Sequence, residues 1–351
     1  MKRYGGLYPK IYDFANLENA YRKARRGKRF YNEVLRYTAN LEENLINLQN
    51  HLMWKTYKQG IFRHFVVIEP KKRTISALPF RDRVAQHAIN NILEPLFDKR
   101  FYSHSYACRE GKGTHRASAT LKKWLRNLTF YDKPLFALKA DISNYFATVD
   151  HERLKKQISR VIKDPDVLTL CGHIIDCGSE TGRGIPVGNL TSQLFANIYL
   201  DALDKFIKDE LKARHYIRYM DDFVILSHDK KELQHFFKEI EGFLFADLAL
   251  RLNPKTCVFN TKNGVDFCGY RHFVSFKRVR RRSVRAMYRK VAAFERGKIT
   301  RPDFIKSLKS WLGHIQHADT YRLRERMRER ITGKPRQEEN GEDEEQCSGN
   351  T

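Results

Sequence analysis

Apolar positions along the chain recur with a helical spacing in some stretches and a strand-like spacing in others. Leu35, Leu41, Leu45, Leu48 and Leu52 predict a helix over Glu33 to Leu52. Phe62–Ile68 (FRHFVVI) and Thr74–Leu78 read as short strands on either side of a basic turn, Glu69-Pro-Lys-Lys-Arg73. Helical spacing returns over Asp82 to Phe97 and Thr114 to Leu128. Leu135–Ile142 (LFALKADI) then reads as a strand, with a helix from about His151 and a long apolar helix over Thr191 to Leu211. Ile217–Ser227 (IRYMDDFVILS) places β-favouring residues on both sides of a charged dipeptide, as a hairpin does. Val265–Val274 is another expected strand, and Ser283 to Gly297 with Arg301 to Arg330 read as helical. There is no internal repeat. The mixture predicts an α+β fold with a helical C-terminal lobe.

Charge gives this outline a partner. Among 351 residues, 66 Lys and Arg face 41 Asp and Glu, a net charge of +25, which points to a polyanion, nucleic acid ahead of an anionic membrane surface. The 41% hydrophobic and 12% aromatic content is enough for a buried interior and excludes wholesale disorder. The basic residues cluster: Arg22, Lys23, Arg25, Arg26, Lys28 and Arg29 lie in one run, and eight of the fourteen residues from Lys277 to Lys290 are basic. From Arg322 to Arg330 every second residue is Arg. The last fifteen residues, from Gln337, hold six acidic and no basic side chains and read as a disordered tail; without them the charge is about +31. No apolar stretch approaches the ~20 residues that span a bilayer, so no membrane role is expected. The N-terminus lacks a secretory h-region, which predicts a cytoplasmic protein. Six cysteines without paired spacing read as free thiols, and Cys171, His173 and Cys177 are too loosely grouped to predict a zinc site.

The chemistry is concentrated in carboxylates. Tyr219-Met220-Asp221-Asp222 sits inside an apolar, strand-like segment, where two adjacent carboxylates are costly unless a turn or a cation relieves them. Taken alone, the tetrapeptide would also suit an ordinary surface turn. Asp141 ends the apolar run Leu135–Ala140; alone it would equally serve as a strand-end cap. Together, a carboxylate at a strand end and a pair on a hairpin supply the minimum for a two-metal site, because Mg²⁺ takes hard oxygen ligands and substrate phosphates. Glu110-Gly-Lys-Gly113 and Gly182-Arg-Gly184 do not form a Walker loop, so ATPase chemistry is not expected.

The order of these segments resembles a reverse transcriptase from about Arg63 to His272. Glu69-Pro-Lys71-Lys72-Arg73 is similar to the fingers segment that holds the incoming triphosphate. Phe80-Arg-Asp-Arg-Val-Ala-Gln86 and Ser105-Tyr-Ala-Cys-Arg-Glu-Gly-Lys-Gly113 resemble fingers and early palm motifs. Lys139-Ala-Asp141-Ile-Ser-Asn-Tyr-Phe146 and Tyr219-Met-Asp-Asp222 resemble the two catalytic palm motifs. Leu252-Asn-Pro-Lys255-Thr and Val265-Asp-Phe-Cys-Gly-Tyr270 are similar to the later palm motif and the primer grip. The resemblance implies a right-hand polymerase: an N-terminal extension and fingers over 1–135, a palm over 136–275, a basic helical thumb over 276–333 and the tail over 334–351. It implies two Mg²⁺ ions, with Mn²⁺ as a substitute, held by Asp141, Asp221, Asp222 and the backbone carbonyl of Ile142. Lys72 and Arg73 would meet the triphosphate of a dNTP, with Tyr219 beside the nucleotide. Phe146, next to Tyr145, would be the steric gate against a 2′-hydroxyl, and Lys255 a general acid for pyrophosphate. Arg278, Arg280, Arg281, Arg282, Arg285 and Arg289 would hold the phosphates of the template–primer duplex.

One departure narrows the resemblance. Where bacterial retroelement enzymes carry Gln-Gly-x-x-x-Ser-Pro, this chain has Val187-Gly188-Asn189-Leu190-Thr191-Ser192-Gln193. Val187 replaces the first Gln and Gln193 the Pro, a form similar to the reverse transcriptases of diversity-generating retroelements, which are bacterial or phage-encoded. That similarity implies a template-repeat RNA copied into cDNA with errors at adenines, and an oligomeric, basic accessory variability determinant protein as partner. A retron or group II-type enzyme without a diversification role is the alternative, and a non-catalytic RNA-binding scaffold a more distant one. The few residues after the thumb predict no ribonuclease H or endonuclease domain.

Overall fold

The computed structural model of the chain describes residues 3–68, 73–129, 133–179 and 181–333. Lys72 and the acidic tail lie outside the described residues. The chain divides into two compact units, Met1–Cys268 and Gly269–Thr351, a division that falls ahead of the boundary expected at 275.

The first unit opens with α1 (Tyr8–Tyr12) and α2 (Phe14–Ala24), neither of which the leucine spacing announces. The helix expected over Glu33 to Leu52 is two helices, α3 (Asn32–Ala39) and α4 (Leu41–Met53), separated by Asn40 at φ −121° and ψ 53°. The step from Leu35 to Leu41 does not fit a helical period, and Leu35 is exposed. A hairpin follows, with β1 (Arg63–Val67) antiparallel to β2 (Arg73–Ala77) and Val67 opposite Arg73. Helix α5 (Phe80–Asp98) is the central helix of this region. Its Asp82 is fully buried and accepts hydrogen bonds from Tyr57 Oη at 2.8 Å and the Gly60 N–H at 3.1 Å.

After α6 (Thr114–Thr129) comes β3 (Phe136–Asp141), then α7 (Tyr145–Thr148), α8 (His151–Ser159), α9 (Pro165–Asp176) and α10 (Leu190–Lys205). The long helix expected to Leu211 changes at Phe206 into one π-helical turn, Phe206–Glu210. Strands β4 (His215–Tyr219) and β5 (Asp222–Ser227) form the expected hairpin, followed by α11 (Lys230–Leu248), β6 (Cys257–Asn260) and β7 (Val265–Phe267). Four strands make an antiparallel sheet in the order β4-β5-β3-β6. Alternation sends Leu138, Ala140, Phe223 and Ile225 into the larger core, which also contains Leu194, Ile198 and Leu244. Ala137, Val224 and Leu226 enter a second core with Leu121, Leu125 and Phe267. Burial on both faces explains why these strands are almost continuously apolar and why their only carboxylates stand at one end.

The second unit holds β8 (Tyr270–His272), antiparallel to β9 (Lys277–Val279), and helices α12 (Arg281–Glu295), α13 (Arg301–Ile315) and α14 (Tyr321–Thr332). Met287, Val291, Phe304, Trp311, Ile315 and Met327 form its core. The single strand expected over Val265 to Val274 is interrupted at Cys268 and Gly269, both at positive φ (48° and 89°). The helix expected from Arg301 to Arg330 breaks where Thr320 Oγ1 donates to the Ile315 carbonyl at 2.9 Å, competing with continuation of the helix. Among the described residues, no helix is long and apolar enough to cross a membrane.

Candidate active site

Strand register builds the site. Asp141, the last residue of β3, stands directly opposite Asp222, the first residue of β5, and Asp222 is in turn opposite Tyr219, the last residue of β4. Met220 and Asp221 form the two-residue turn between β4 and β5. Met220 has φ 57°, a left-handed conformation that is uncommon for a residue with a side chain. This turn brings Asp221 beside Asp141, close enough for the charge of one carboxyl to act on the other. Burial first, and the Asp141 charge second, push the Asp221 carboxyl up to about 6.

Two further residues steady this group, and sequence reasoning assigned neither a role. Asn253 donates from its backbone N–H to the Asp141 carbonyl at 2.7 Å and from Nδ2 to Asp141 Oδ2 at 3.3 Å. Lys139, two residues before Asp141 on the same strand face, forms an ion pair with Asp222 and lies 5.9 Å from the Phe267 ring centroid. The signal was available for Lys139, since a cation inside an apolar strand needs a partner. For Asn253 the only signal was its place beside Lys255.

This donor set suits a hard divalent cation. Two neighbouring carboxylates, one resisting ionisation, are the arrangement a cation would relieve. Among the described residues, no three His, Cys, Asp or Glu side chains converge as a ready-made cage, and Lys139 holds Asp222. Mg²⁺ takes one or two carboxylates and fills its remaining positions with water and substrate phosphates. Asp141 and Asp221 meet that requirement, and Ile142, buried and bridged to Leu252, follows directly in the chain.

The residues expected at the nucleotide fall into distinct settings. Tyr145 is buried, its hydroxyl donating to the Ala196 carbonyl at 2.6 Å, whereas Phe146 is only half-buried. That difference separates the two neighbours: Tyr145 anchors and Phe146 is the ring left available. Val187 accepts a hydrogen bond from the Ser76 N–H at 2.9 Å, so its loop is tied to the strand that starts at the exposed Arg73. Gly188 has φ 116°, and a Cβ there would come within 2.8 Å of Ile75 Cγ2, so only glycine permits this approach. Gln86 of α5 accepts from the Leu190 N–H at 3.1 Å and thereby fixes the start of α10, where half-buried Gln193 lies. Tyr219 is half-buried. Lys255 is exposed, its own N–H turned back to Asn253 Oδ1 at 3.0 Å.

In the second unit, Arg281, Arg282, Arg285 and Arg289 line an open recess of about 750 Å³ together with Tyr288. Helical spacing puts them opposite Met287 and Val291, which point into the core. Arg278 is exposed and lies 4.8 Å from the Phe276 ring centroid, while Arg280 is half-buried at the N-cap of α12.

The family model described as reverse transcriptase (RNA-dependent DNA polymerase) matches residues 58–272. The chain is 30% identical to protein YkfC of Escherichia coli, over 57% of this chain and 63% of that protein. It is 27% identical to the group II intron-encoded protein LtrA of Lactococcus lactis, over 57% of this chain and 34% of that protein. It thus spans less than two thirds of the length of either relative. A telomerase structure from Candida albicans superposes with a TM-score of 0.47 at 13% identity, over 68% of this chain and 51% of that one. The family match, the antiparallel sheet flanked by helices and the carboxylates at its end together identify the α+β architecture as a right-hand polymerase fold. The chain belongs to the reverse transcriptase family.

Proposed function

We propose that the protein copies RNA into DNA by two-metal-ion nucleotidyl transfer. The observation that carries this reading is the register that sets Asp141 opposite Asp222, beside the Met220–Asp221 turn. In the reaction the primer 3′-hydroxyl attacks the α-phosphorus of a dNTP; a P–O bond forms, and the bond to pyrophosphate breaks. When bound, two Mg²⁺ ions, or Mn²⁺ in their place, supply positive charge to the attacking hydroxyl and the departing pyrophosphate. Asp141 and Asp221, with the Ile142 carbonyl, would hold them, and Asp222 is steadied by Lys139. Arg73 and Lys72 bind the triphosphate, Lys255 gives a proton to pyrophosphate, and Tyr219 lines the nucleotide site. Phe146 excludes a ribose 2′-hydroxyl by volume. The arginines of α12, with Arg278 and Arg280, bind the phosphates of the template–primer hybrid.

The finer reading is an error-prone enzyme of a diversity-generating retroelement, acting on a template-repeat RNA with a basic, oligomeric accessory protein. Its support is Val187 and Gln193. A glutamine beside the nascent pair can hydrogen-bond the nucleotide and penalise poor geometry, whereas valine offers shape alone, a difference of about 1–2 kcal/mol in discrimination. The similarity to LtrA favours a second reading, a group II-type enzyme without a diversification role. Extension of a DNA primer on a defined RNA with dNTPs and Mg²⁺, followed by sequencing of the cDNA, tests both levels. Absence of extension overturns the polymerase reading; cDNA whose errors are not concentrated opposite template adenines overturns the retroelement subtype and leaves the group II-type reading.

A further inference from the structure

A wholly buried ion pair lies behind the turn that carries Asp221. Arg218 precedes Tyr219 on β4 and is 0% exposed, as extreme a burial as a guanidinium can have. Such a group is tolerated only when its donors are matched. Nε donates to Asp204 Oδ1 at 2.7 Å, and Nη2 to Asp204 Oδ2 at 2.5 Å. Nη1 donates to Asn197 Oδ1 at 3.3 Å and to the Met220 carbonyl at 3.0 Å. Asp204 also accepts from Tyr216 Oη at 2.6 Å, and Asn197 Nδ2 donates to the Ala107 carbonyl at 2.8 Å. Asn197 and Asp204 both lie on α10, the helix whose first turn carries Gln193.

The bond to Met220 distinguishes this network from a packing device. Met220 is the left-handed residue of the turn, and its carbonyl belongs to the peptide that leads into Asp221. A strained backbone of this kind persists only where its surroundings over-determine it. A planar fork with several fixed donors can do so; a lysine ammonium at the same place cannot grip Asp204 and Met220 in the same geometry.

We propose that Arg218 is a positioning residue: clamped to α10 through Asp204 and Asn197, it holds the Met220–Asp221 turn in its left-handed conformation and so sets Asp221 against Asp141 for metal binding. This rests on the metal-binding reading of those carboxylates. It also makes α10 a ruler, with the nucleotide-facing loop at its start and the anchor of the carboxylate turn farther along the same helix.

The test is a Mn²⁺ titration of the full chain, followed by electron paramagnetic resonance, without nucleotide or template. Circular dichroism, thermal melting and RNA–primer binding are measured beside it. Wild-type binding that is lost in Asp221→Asn establishes the site; if wild-type protein shows no such binding, the metal reading itself fails, and with it this proposal. Given the site, Arg218→Lys is expected to keep the circular dichroism spectrum and bind RNA–primer within twofold, yet lose about tenfold in Mn²⁺ affinity. Tyr216→Phe removes a bond to Asp204 without touching Met220, and is expected to lower the melting temperature with Mn²⁺ affinity unchanged. A folded Arg218→Lys that resembles Tyr216→Phe, less stable but binding Mn²⁺ as wild type does, overturns the proposal. If Arg218→Lys does not fold, Asn197→Ala removes one acceptor of the same guanidinium and is judged by the same two outcomes, on a threefold loss of affinity.

Discussion

Arg218 and Arg285 carry the same guanidinium in opposite settings. Arg218 is wholly enclosed, with Asp204, Asn197 and a backbone carbonyl arranged around it. Arg285 is exposed on α12 among arginines that repeat along one helix face. The first setting fixes geometry, because a buried charge cannot shift without leaving a donor or acceptor unmatched. The second, on the proposed function, would supply charge to a ligand whose phosphates recur along its length, so no single contact would have to be exact to an ångström. The proposed function thus gives arginine two uses in one molecule, a structural bolt and an electrostatic surface, and substitution separates them.

The largest separation should come from the carboxylates themselves. Asp221→Asn is expected to lower dNTP incorporation by about 10³-fold, roughly 4 kcal/mol of transition-state stabilisation. Affinity for an RNA–primer duplex, measured by fluorescence anisotropy, should stay within about twofold, since the proposed phosphate contacts lie on α12. Full incorporation by this variant would remove Asp221 from the reaction. A large loss of duplex binding would erase the contrast between the two regions.

The complementary change acts on the surface. Arg281→Ala, Arg285→Ala and Arg289→Ala combined should weaken duplex binding by about 10- to 100-fold at moderate salt and make the log–log salt slope shallower by about 2 to 3. The single-turnover rate on saturating template should remain near that of wild type. If the salt slope is unchanged, those arginines do not touch phosphate.

Between these extremes stands Val187, tied to β2 through Ser76. Val187→Gln is expected to reduce misincorporation opposite template adenine by about tenfold, the equivalent of one polar contact. Deep sequencing of cDNA made by each enzyme on one RNA checks this, and an unchanged adenine error frequency would show that Val187 merely packs.

What could be read from sequence follows the same division. The β4–β5 hairpin and the end of β3 were legible because apolar strands make interior carboxylates conspicuous, and the basic face of α12 because charge density is a property of composition. The buried partners were not. Asp204 and Asn197 lie in an apolar helix at positions that resemble ordinary polar interruptions, and their convergence on Arg218 depends on how α10 crosses the sheet. Likewise, α11 was not read out although Leu233, Phe236, Ile240, Leu244 and Leu248 are all buried along it. Additional apolar residues, among them exposed Phe245, blur its stripe. The break at Asn40 and the turn at Cys268–Gly269 are local backbone choices that periodicity alone does not register. Tyr145 and Phe146, adjacent and similar in chemistry, were told apart in the sequence only by the motif they resemble, and their burial supplies a physical difference between them.

The smallest expected effect concerns the proton held at the Met220–Asp221 turn. Burial, and then the Asp141 charge, raise Asp221 from 3.8 to about 6 in the metal-free protein. The folded state therefore binds this proton more tightly than the unfolded chain does, and stability falls as pH rises from about 4 to about 6. The penalty is absent below the unfolded value and complete above the folded one, on the order of 2 kcal/mol for a group that is not wholly enclosed. Asp221→Asn lacks the titration. With EDTA present, the melting temperature of wild type relative to Asp221→Asn should therefore decline across that interval, by about 1–2 °C per kcal/mol in a chain of this size. Saturating Mg²⁺ should abolish the decline, because a bound cation stabilises the ionised carboxylate in the folded state alone. A difference that stays flat from about pH 4 to pH 6.5 would mean that the Asp221 carboxyl ionises in the folded protein as it does in the unfolded chain, and that the turn holds it without any electrostatic cost for a cation to relieve.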